Sequence, residues 1–117
     1  MKIIYIAGKI GTFDVTQVTQ ECKDKFNKAE KYLKSKEQCH TYNPIERATQ
    51  LYSYRPEMKT DIKKAKRILT TENLYALMSA DSLYLLKDWG DSEGARVEKM
   101  LAENLGLEII YQSHEDI

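Results

Sequence analysis

Two hydrophobic patterns alternate along the chain. The first, Lys2–Ala7, is a nearly continuous apolar run rich in Ile and Tyr that ends at Gly8, which is typical of a strand buried on both faces of a parallel sheet. The second is a spacing of three and four residues, which begins after a possible capping box formed by Asp14 and Gln17. This spacing predicts one amphipathic helix to about Ser35. Its apolar positions are Val15, Val18, Cys22, Phe26, Ala29 and Leu33.

Three further apolar runs predict strands. Gln38–Tyr42 is the second strand, stopped by an Asn-Pro pair at residues 43–44 that favours a turn. Ser82–Lys87 and Leu107–Gln112 are the third and fourth strands, because both are rich in Leu, Ile or Tyr. Residues 45–54 show no clear pattern.

Helical spacing returns between these strands. Pro56 suits the start of a helix, where its missing N–H costs nothing, and the apolar stripe after it is Met58, Ile62, Ala65 and Leu69. Thr70 and Thr71 interrupt the stripe and predict a new helix that buries Leu74, Leu77 and Met78. Residues 92–105 carry a last helical face, closed by Gly106 just past the helix end.

Strands that alternate with helices predict an α/β fold with a parallel sheet. With right-handed crossovers, we expect a small doubly wound, flavodoxin-like three-layer sandwich with strand order 2-1-3-4. The chain is 117 residues long, which suits one domain with a single core. We expect this domain at residues 1–112, followed by a C-terminal tail at 113–117.

Composition narrows the functional classes. Eighteen basic residues balance eighteen acidic ones, so no net field favours a nucleic-acid polymer. The cluster Lys59, Lys63, Lys64, Lys66 and Arg67 is expected to be a solvated helix face. The N-terminal apolar run is too short to span a membrane and lacks a signal-peptide pattern. Neither a nucleic-acid polymer nor a membrane is therefore expected as a partner.

The cysteines and histidines suggest neither disulfide nor metal. Cys22 and Cys39 lack a C-x-x-C spacing, so reduced thiols in the cytoplasm are expected. His40 and His114 are isolated, and no metal site or cofactor is predicted.

Two glycine-containing loops are predicted to face each other. A-G-K-I-G-T-F-D follows the first strand, and K-D-W-G-D-S-E-G follows the third. In the order 2-1-3-4 the switch point lies between these two strands, and ligands bind there, beyond the carboxyl ends. Each loop leads to a helix N-terminus, which favours an anion. A G-x-x-G sequence after a strand matches neither the dinucleotide nor the P-loop pattern and is by itself weak evidence.

Glu98 is the sharpest candidate for chemistry in this region. It follows Gly94 by four residues, so both lie on one helix face, and helical side chains lean toward the N-terminus. Because Gly94 has no side chain, the Glu98 carboxylate can project past it to the ligand mouth. A carboxylate there suits nucleophilic attack at a sugar carbon. The alternative is a surface residue that pairs with Arg96 or Lys99.

The longer motifs resemble the nucleoside 2-deoxyribosyltransferase-like superfamily, in particular its short members and the related deoxynucleoside monophosphate N-glycosidases. A-D-S-L-Y-L-L-K-D-W-G-D-S-E-G-A-R-V-E, at residues 80–98, is the most specific segment. I-I-Y-I-A-G near the N-terminus, N-P after the second strand and L-G-L-E-I-I-Y near the C-terminus follow the family's order. Residues 45–72 match poorly.

This resemblance implies a Rossmann-like fold, a homodimer or higher homo-oligomer, and chemistry at an N-glycosidic bond. In the family pattern S-x-G-x-x-x-E the glutamate is the nucleophile, and Ser92, Gly94 and Glu98 match it. The first-loop glycine and its neighbours line the sugar or phosphate site in relatives. The matching residues here are Gly8, Lys9 and Gly11.

One departure from the family concerns its usual acid. Relatives carry an aspartate eight residues before the aspartate of their A-D pair, and counting back from Asp81 gives Asn73. An amide cannot relay a proton as a carboxylic acid can. Asp61, in M-K-T-D-I, resembles the same segment displaced by an insertion. Either Asp61 takes the role or the acid is missing.

The resulting hypothesis is an N-glycosidase or deoxyribosyltransferase that acts on a deoxynucleoside or its 5′-monophosphate. Glu98 would attack the sugar, and Asp61, Asp88 or Asp91 would protonate the leaving base. Ser92 and Lys9 would hold the 5′ end. Trp89 or Tyr5 would stack on the base, although Trp89 equally suits packing within its loop. Two alternatives are a non-catalytic nucleotide-binding or sensing module, which Asn73 favours, and a structural domain with a vestigial pocket.

Overall fold

The sheet has the predicted topology. The structure, a computed structural model, describes residues 1–113. Its strands are β1 (Lys2–Ala7), β2 (Cys39–Tyr42), β3 (Ser82–Leu85) and β4 (Glu108–Tyr111). All pairs are parallel, in the order β2-β1-β3-β4, which confirms the α/β class and the strand order. Most of the predicted tail, residues 114–117, lies outside the described residues.

Helices cover both faces of this sheet and make a three-layer sandwich. They are α1 (Gln20–Lys36), α2 (Pro44–Tyr54), α3 (Glu57–Thr60), α4 (Ile62–Met78) and α5 (Glu93–Leu105). Side chains alternate between the faces of a strand. On one face Ile4, Ile6 and Tyr84 pack against α1 through Phe26 and Ala29. On the other face the core joins the strands to α4 and α5 through Tyr5, Ala7, Leu83, Leu85, Leu77, Ala95 and Ala102.

The first helix begins later than its apolar spacing predicts. Asp14 instead caps a 3₁₀ turn at Val15–Gln17, where its side chain accepts from the Thr16 N–H. Thr19 then caps α1 by accepting from the Cys22 N–H at 3.1 Å. The prediction of one helix from Asp14 was wrong because Val15 packs into a separate core beside α2 and α4. Val15 falls at helical spacing from the apolar residues of α1 but does not belong to that helix.

Three predictions for the middle of the chain were also wrong, one of which is the burial of Met78, whose side chain is exposed. Asn43 begins a helix rather than a turn, because its side chain accepts from the first N–H groups of α2 and Pro44 occupies the first turn. Thr70 and Thr71 lie inside α4, which continues to Met78. The predicted basic cluster is exposed on α3 and α4, as expected. None of the helices within residues 1–113 is long and apolar enough to cross a membrane.

Candidate functional site

A cleft of about 340 Å³ opens beyond the carboxyl ends of β1 and β3, at the predicted switch point. Its walls come from the loop after β1, the start of α2, the middle of α4 and the first turn of α5. The predicted residues on the β1 side are Tyr5, Gly8, Lys9 and Gly11. Those on the helix side are Asn73, Ser92, Gly94 and Glu98. With Asp91, the structure brings together nine of the twelve residues singled out in the sequence.

Asp88 joins the two loops beside this cleft, and Lys25 of α1 forms an ion pair with it. The Asp88 carboxylate accepts from the Lys9 N–H at 3.0 Å and from the Lys25 Nζ at 2.5 Å. Lys25 Nζ also donates to the Lys9 carbonyl oxygen at 2.8 Å. Both backbone groups of Lys9 are thus held by one carboxylate and one ammonium, which leaves its exposed side chain at the cleft. Asp88 positions the first loop, and the sequence did not suggest Lys25.

Gly8 is required by the close approach of the two loops. A Cβ at this position would lie 2.7 Å from Leu86 Cδ1, 2.9 Å from Leu86 Cβ and 3.1 Å from Asp88 Oδ1. Leu86 is fully buried, so it has little room to move. Gly11, at the cleft mouth, has a φ of 89°, which residues with a Cβ rarely adopt. Both glycines of the first loop therefore have a backbone reason.

Helix α5 aims Glu98 into the cleft. The Ser92 Oγ caps the helix by accepting from the Ala95 N–H at 3.1 Å. Gly94 also lines the cleft, and a Cβ added there would meet nothing closer than the Ser92 Oγ at 3.8 Å. At the floor of the cleft, the Tyr5 hydroxyl donates a hydrogen bond to Glu98 Oε2. The Glu98 carboxylate thus reaches the cleft, whereas no contact in the structure requires the glycine at position 94 for it to do so.

Burial changes the acidity of Glu98. Desolvation raises the pKa of this carboxyl from 4.5 to about 7, and the Tyr5 hydrogen bond opposes that rise by stabilising the ionised form. Near neutral pH both protonation states are therefore populated. A carboxyl group with this property in a cleft is a candidate for acid, base or nucleophilic chemistry.

A second tyrosine supports the first. The rings of Tyr5 and Tyr42 are stacked, with centroids 4.9 Å apart and an interplanar angle of 16°. The Tyr42 hydroxyl donates to Asn73 Oδ1 at 2.7 Å. Tyr5 is fully buried, and its ring faces Tyr42 rather than open space. Tyr42 could not be identified from the sequence, because its stacking on Tyr5 depends on the register between β1 and β2.

Three predicted residues within the described part of the chain lie outside this cleft. Asp61 caps α4, where its carboxylate accepts from the Lys63 and Lys64 N–H groups at 3.0 and 3.2 Å. Trp89 packs near Tyr111, with ring centroids 6.1 Å apart. Asp88 is the loop-joining carboxylate. Asp91, by contrast, lines the cleft from a 3₁₀ turn at Trp89–Asp91.

The cleft is lined by both apolar and polar residues. We call the apolar set, Ile10, Val15, Ile45, Leu69 and Leu74, the apolar wall. The polar set includes Lys9, Asp91, Glu93 and Glu98 with the first turn of α5, whose early N–H groups have no partner within the helix. Such a cleft suits a molecule with a flat apolar part and a polar or anionic part. Among residues 1–113, no group of three or more His, Cys, Asp or Glu side chains is placed to hold a metal ion.

Comparison with protein-family models identifies the domain. The model of a family described as a domain of unknown function (DUF4406) matches residues 2–111. That span contains every strand and the whole cleft. Among curated proteins, no sequence matches the chain.

Proposed function

The chain belongs to the DUF4406 family, and from its cleft we propose that it breaks the N-glycosidic bond of a deoxynucleoside or deoxynucleoside 5′-monophosphate, with Glu98 as the nucleophile. The reaction is hydrolysis when water accepts the sugar and deoxyribosyl transfer when a second base accepts it. The observation that carries this proposal is the half-buried Glu98 carboxyl, aimed into the cleft and hydrogen-bonded to Tyr5. The resemblance of the Ser92–Glu98 segment to the superfamily motif supports the same role.

The reaction proceeds in two displacements. An ionised Glu98 oxygen attacks the anomeric carbon while the bond to the base nitrogen breaks, through an oxocarbenium-like transition state. The electron pair of that bond stays on the base, which takes a proton. The sugar is then esterified to Glu98. Water or the N–H of a second base attacks the same carbon and gives up its proton to the carboxylate that protonated the leaving base. This step releases the sugar or a new nucleoside and restores Glu98 as a carboxylate.

Of the three aspartates that the sequence offers as acids, Asp91 is the one placed to protonate the leaving base. It lines the cleft, whereas Asp61 and Asp88 are already engaged as a helix cap and a loop-joining ion pair. Asn73 also lines the cleft but has no proton of the required acidity. In this assignment the acid comes from the loop after β3 and not from α4.

The apolar and polar lining residues orient the substrate in the cleft. The apolar wall suits the base, since stacking and burial of a flat ring need no charged partner. Lys9 and the first turn of α5 suit the 5′ end, where a phosphate would meet an ammonium group and helix N–H groups. The Ser92 Oγ accepts a hydrogen bond as the helix cap. Its hydroxyl proton is not used in that bond and can be donated to the sugar. The homo-oligomer and the cytoplasmic location implied by the sequence stay predictions.

The direct test is an assay for free base. Each of the four deoxynucleosides and their 5′-monophosphates is incubated with the protein, and released base is separated by liquid chromatography. The proposal expects release from at least one of them. Calorimetry that shows tight binding, with no base after long incubation, would instead favour a non-catalytic nucleotide-binding module. The amide at position 73, engaged with Tyr42, is the observation that favours this second function.

The pH dependence gives a sharper expectation. The nucleophile must be ionised, so kcat/KM should rise with pH through about 7, the pKa of Glu98. Tyr5→Phe removes the hydrogen bond that lowers this pKa, so the rising limb should move to higher pH. Rate profiles of both proteins between pH 5 and pH 9 measure the displacement. A Tyr5→Phe limb at the wild-type position, or at lower pH, would contradict the assigned role of Tyr5.

A further inference from the structure

We propose that Tyr42 and Asn73 act together as positioning residues for Glu98, by holding the ring of Tyr5 in the orientation from which its hydroxyl reaches the carboxylate. This inference rests on the proposed role of Glu98. It assigns position 73 a function that needs no acid: the amide oxygen accepts a hydrogen bond and does not deliver a proton.

The sheet register puts the two tyrosines side by side. Tyr5 and Tyr42 are paired residues of the parallel strands β1 and β2, so their side chains leave the sheet on the same face. The rings stack at 4.9 Å with only 16° between their planes. A ring stacked in this way restricts rotation of its neighbour about the Cα–Cβ bond. Tyr42 therefore limits the directions in which the Tyr5 hydroxyl can point.

Asn73 anchors the outer ring. The Tyr42 hydroxyl donates to Asn73 Oδ1 at 2.7 Å, and Asn73 is held on α4, a helix of 17 residues. The connection thus runs from α4 through two stacked rings to the carboxylate on α5. Tyr42 is only partly buried, so without this bond its ring would have freedom to move toward solvent.

The charges near Tyr42 do not provide another anchor. Glu72 and Arg47 lie beside it, and they pair with each other through Nε and Oε1 at 2.7 Å. Burial is the main cause that raises the pKa of Tyr42, Glu72 and Glu98 raise it further, and Arg47 lowers it. Both tyrosines thus remain protonated donors at neutral pH. The hydrogen bond to the uncharged Asn73 is therefore the contact whose loss the variants below test.

Four variants separate positioning from other roles. Tyr42→Phe keeps the ring but removes the donor, and Asn73→Leu keeps the side-chain size but removes the acceptor. The double variant tests whether both act through one bond. Asn73→Asp retains an acceptor and is the conservative replacement. Tyr52→Phe, on α2 and outside this network, is the control for loss of a tyrosine hydroxyl.

The first readout is the titration of the Glu98 carboxyl carbon by NMR, which needs no turnover. Tyr42→Phe and Asn73→Leu should each raise the pKa of Glu98, because a less ordered Tyr5 hydroxyl stabilises the carboxylate less. The double variant should shift it no further than either single change. Asn73→Asp should keep the hydrogen bond, so a rise in the Glu98 pKa there comes from the added negative charge and should weaken at high salt, unlike the rise in Asn73→Leu. A Glu98 titration that is the same in Tyr42→Phe, Asn73→Leu and the double variant as in the wild type would overturn the proposal.

The second readout is kinetic. Tyr42→Phe and Asn73→Leu should lower kcat roughly tenfold with little change in KM, less than the 10²-fold that a 1 Å misplacement of reacting groups costs. Asn73→Asp should stay near wild type. A large gain in kcat for Asn73→Asp would overturn the proposal, because it would show that position 73 lacks an acid. If the wild type releases no base, the proposed function fails, but the NMR titration still decides whether Tyr42 and Asn73 position Glu98.

Discussion

Glu98→Gln is expected to reduce base release by roughly 10³-fold or more, because glutamine cannot form the glycosyl intermediate. The replacement is nearly isosteric, and its amide oxygen can still accept from the Tyr5 hydroxyl. Nucleotide binding should therefore persist while turnover is lost. The measurement is released base per unit time at saturating substrate, with calorimetry to confirm binding. Unchanged release would remove Glu98 from the chemistry.

The same variant should be more stable than the wild type at alkaline pH. The folded state raises the pKa of Glu98 from 4.5 to about 7, so between these values it binds more protons than the unfolded chain. Stability from this group is present below pH 4.5 and falls as pH rises to about 7. Glutamine never ionises and avoids the loss, which is on the order of 1 to 3 kcal/mol at pH 8.

Denaturant unfolding at pH 4.5 and pH 8 measures this difference. Glu103→Gln is the control, since Glu103 is exposed on the same helix and its pair with Lys99 lies on the surface, where such pairs contribute about 0 to 1 kcal/mol. The stability gained by Glu98→Gln relative to wild type should grow between the two pH values. A gain that is the same at both would mean that Glu98 is not buried as described.

Gly8→Ala is expected to destabilise the fold by about 1–3 kcal/mol, the usual cost of overpacking, and to lower base release about 10²-fold by displacing the first loop. The added Cβ would lie under 3.0 Å from two atoms of Leu86. Relief requires the loop to move away from β3, which would stretch the bond from the Lys9 N–H to Asp88. Stability and activity should therefore fall together.

Gly90→Ala is the matched control for that change. Gly90 lies in the loop after β3, but a Cβ there would meet nothing within 4 Å. It should unfold within about 0.5 kcal/mol of wild type, as surface changes usually do. If Gly8→Ala proved as stable as Gly90→Ala, the two loops would not approach as closely as the structure indicates.

The sheet order and the position of Glu98 could be predicted because both depend on local sequence. Apolar runs define the strands, right-handed crossovers restrict their order, and the spacing from Gly94 to Glu98 sets one helix face. The cleft between the loops after β1 and β3 follows from that order.

Contacts that depend on register or on competing caps could not be predicted. The stack of Tyr5 on Tyr42 requires β1 and β2 to pair with these residues side by side. Lys25 on α1 reaches Asp88 in the loop after β3, 63 residues further along the chain, and no local pattern indicates that contact. Asp61 was predicted to be a candidate acid. An aspartate just before a helical segment also suits an N-cap, and this is the role of Asp61 at the start of α4.

The central claim is that the side chain at position 98 meets the sugar of a bound substrate. A crystal structure of the Glu98→Gln variant soaked with a deoxynucleoside 5′-monophosphate tests it most directly. We expect the anomeric carbon to lie about 3 to 3.5 Å from the amide oxygen at position 98, a distance suited to attack. The base should lie against the apolar wall and the phosphate near Lys9. A nucleotide bound elsewhere, or with its sugar turned away from position 98, would contradict it.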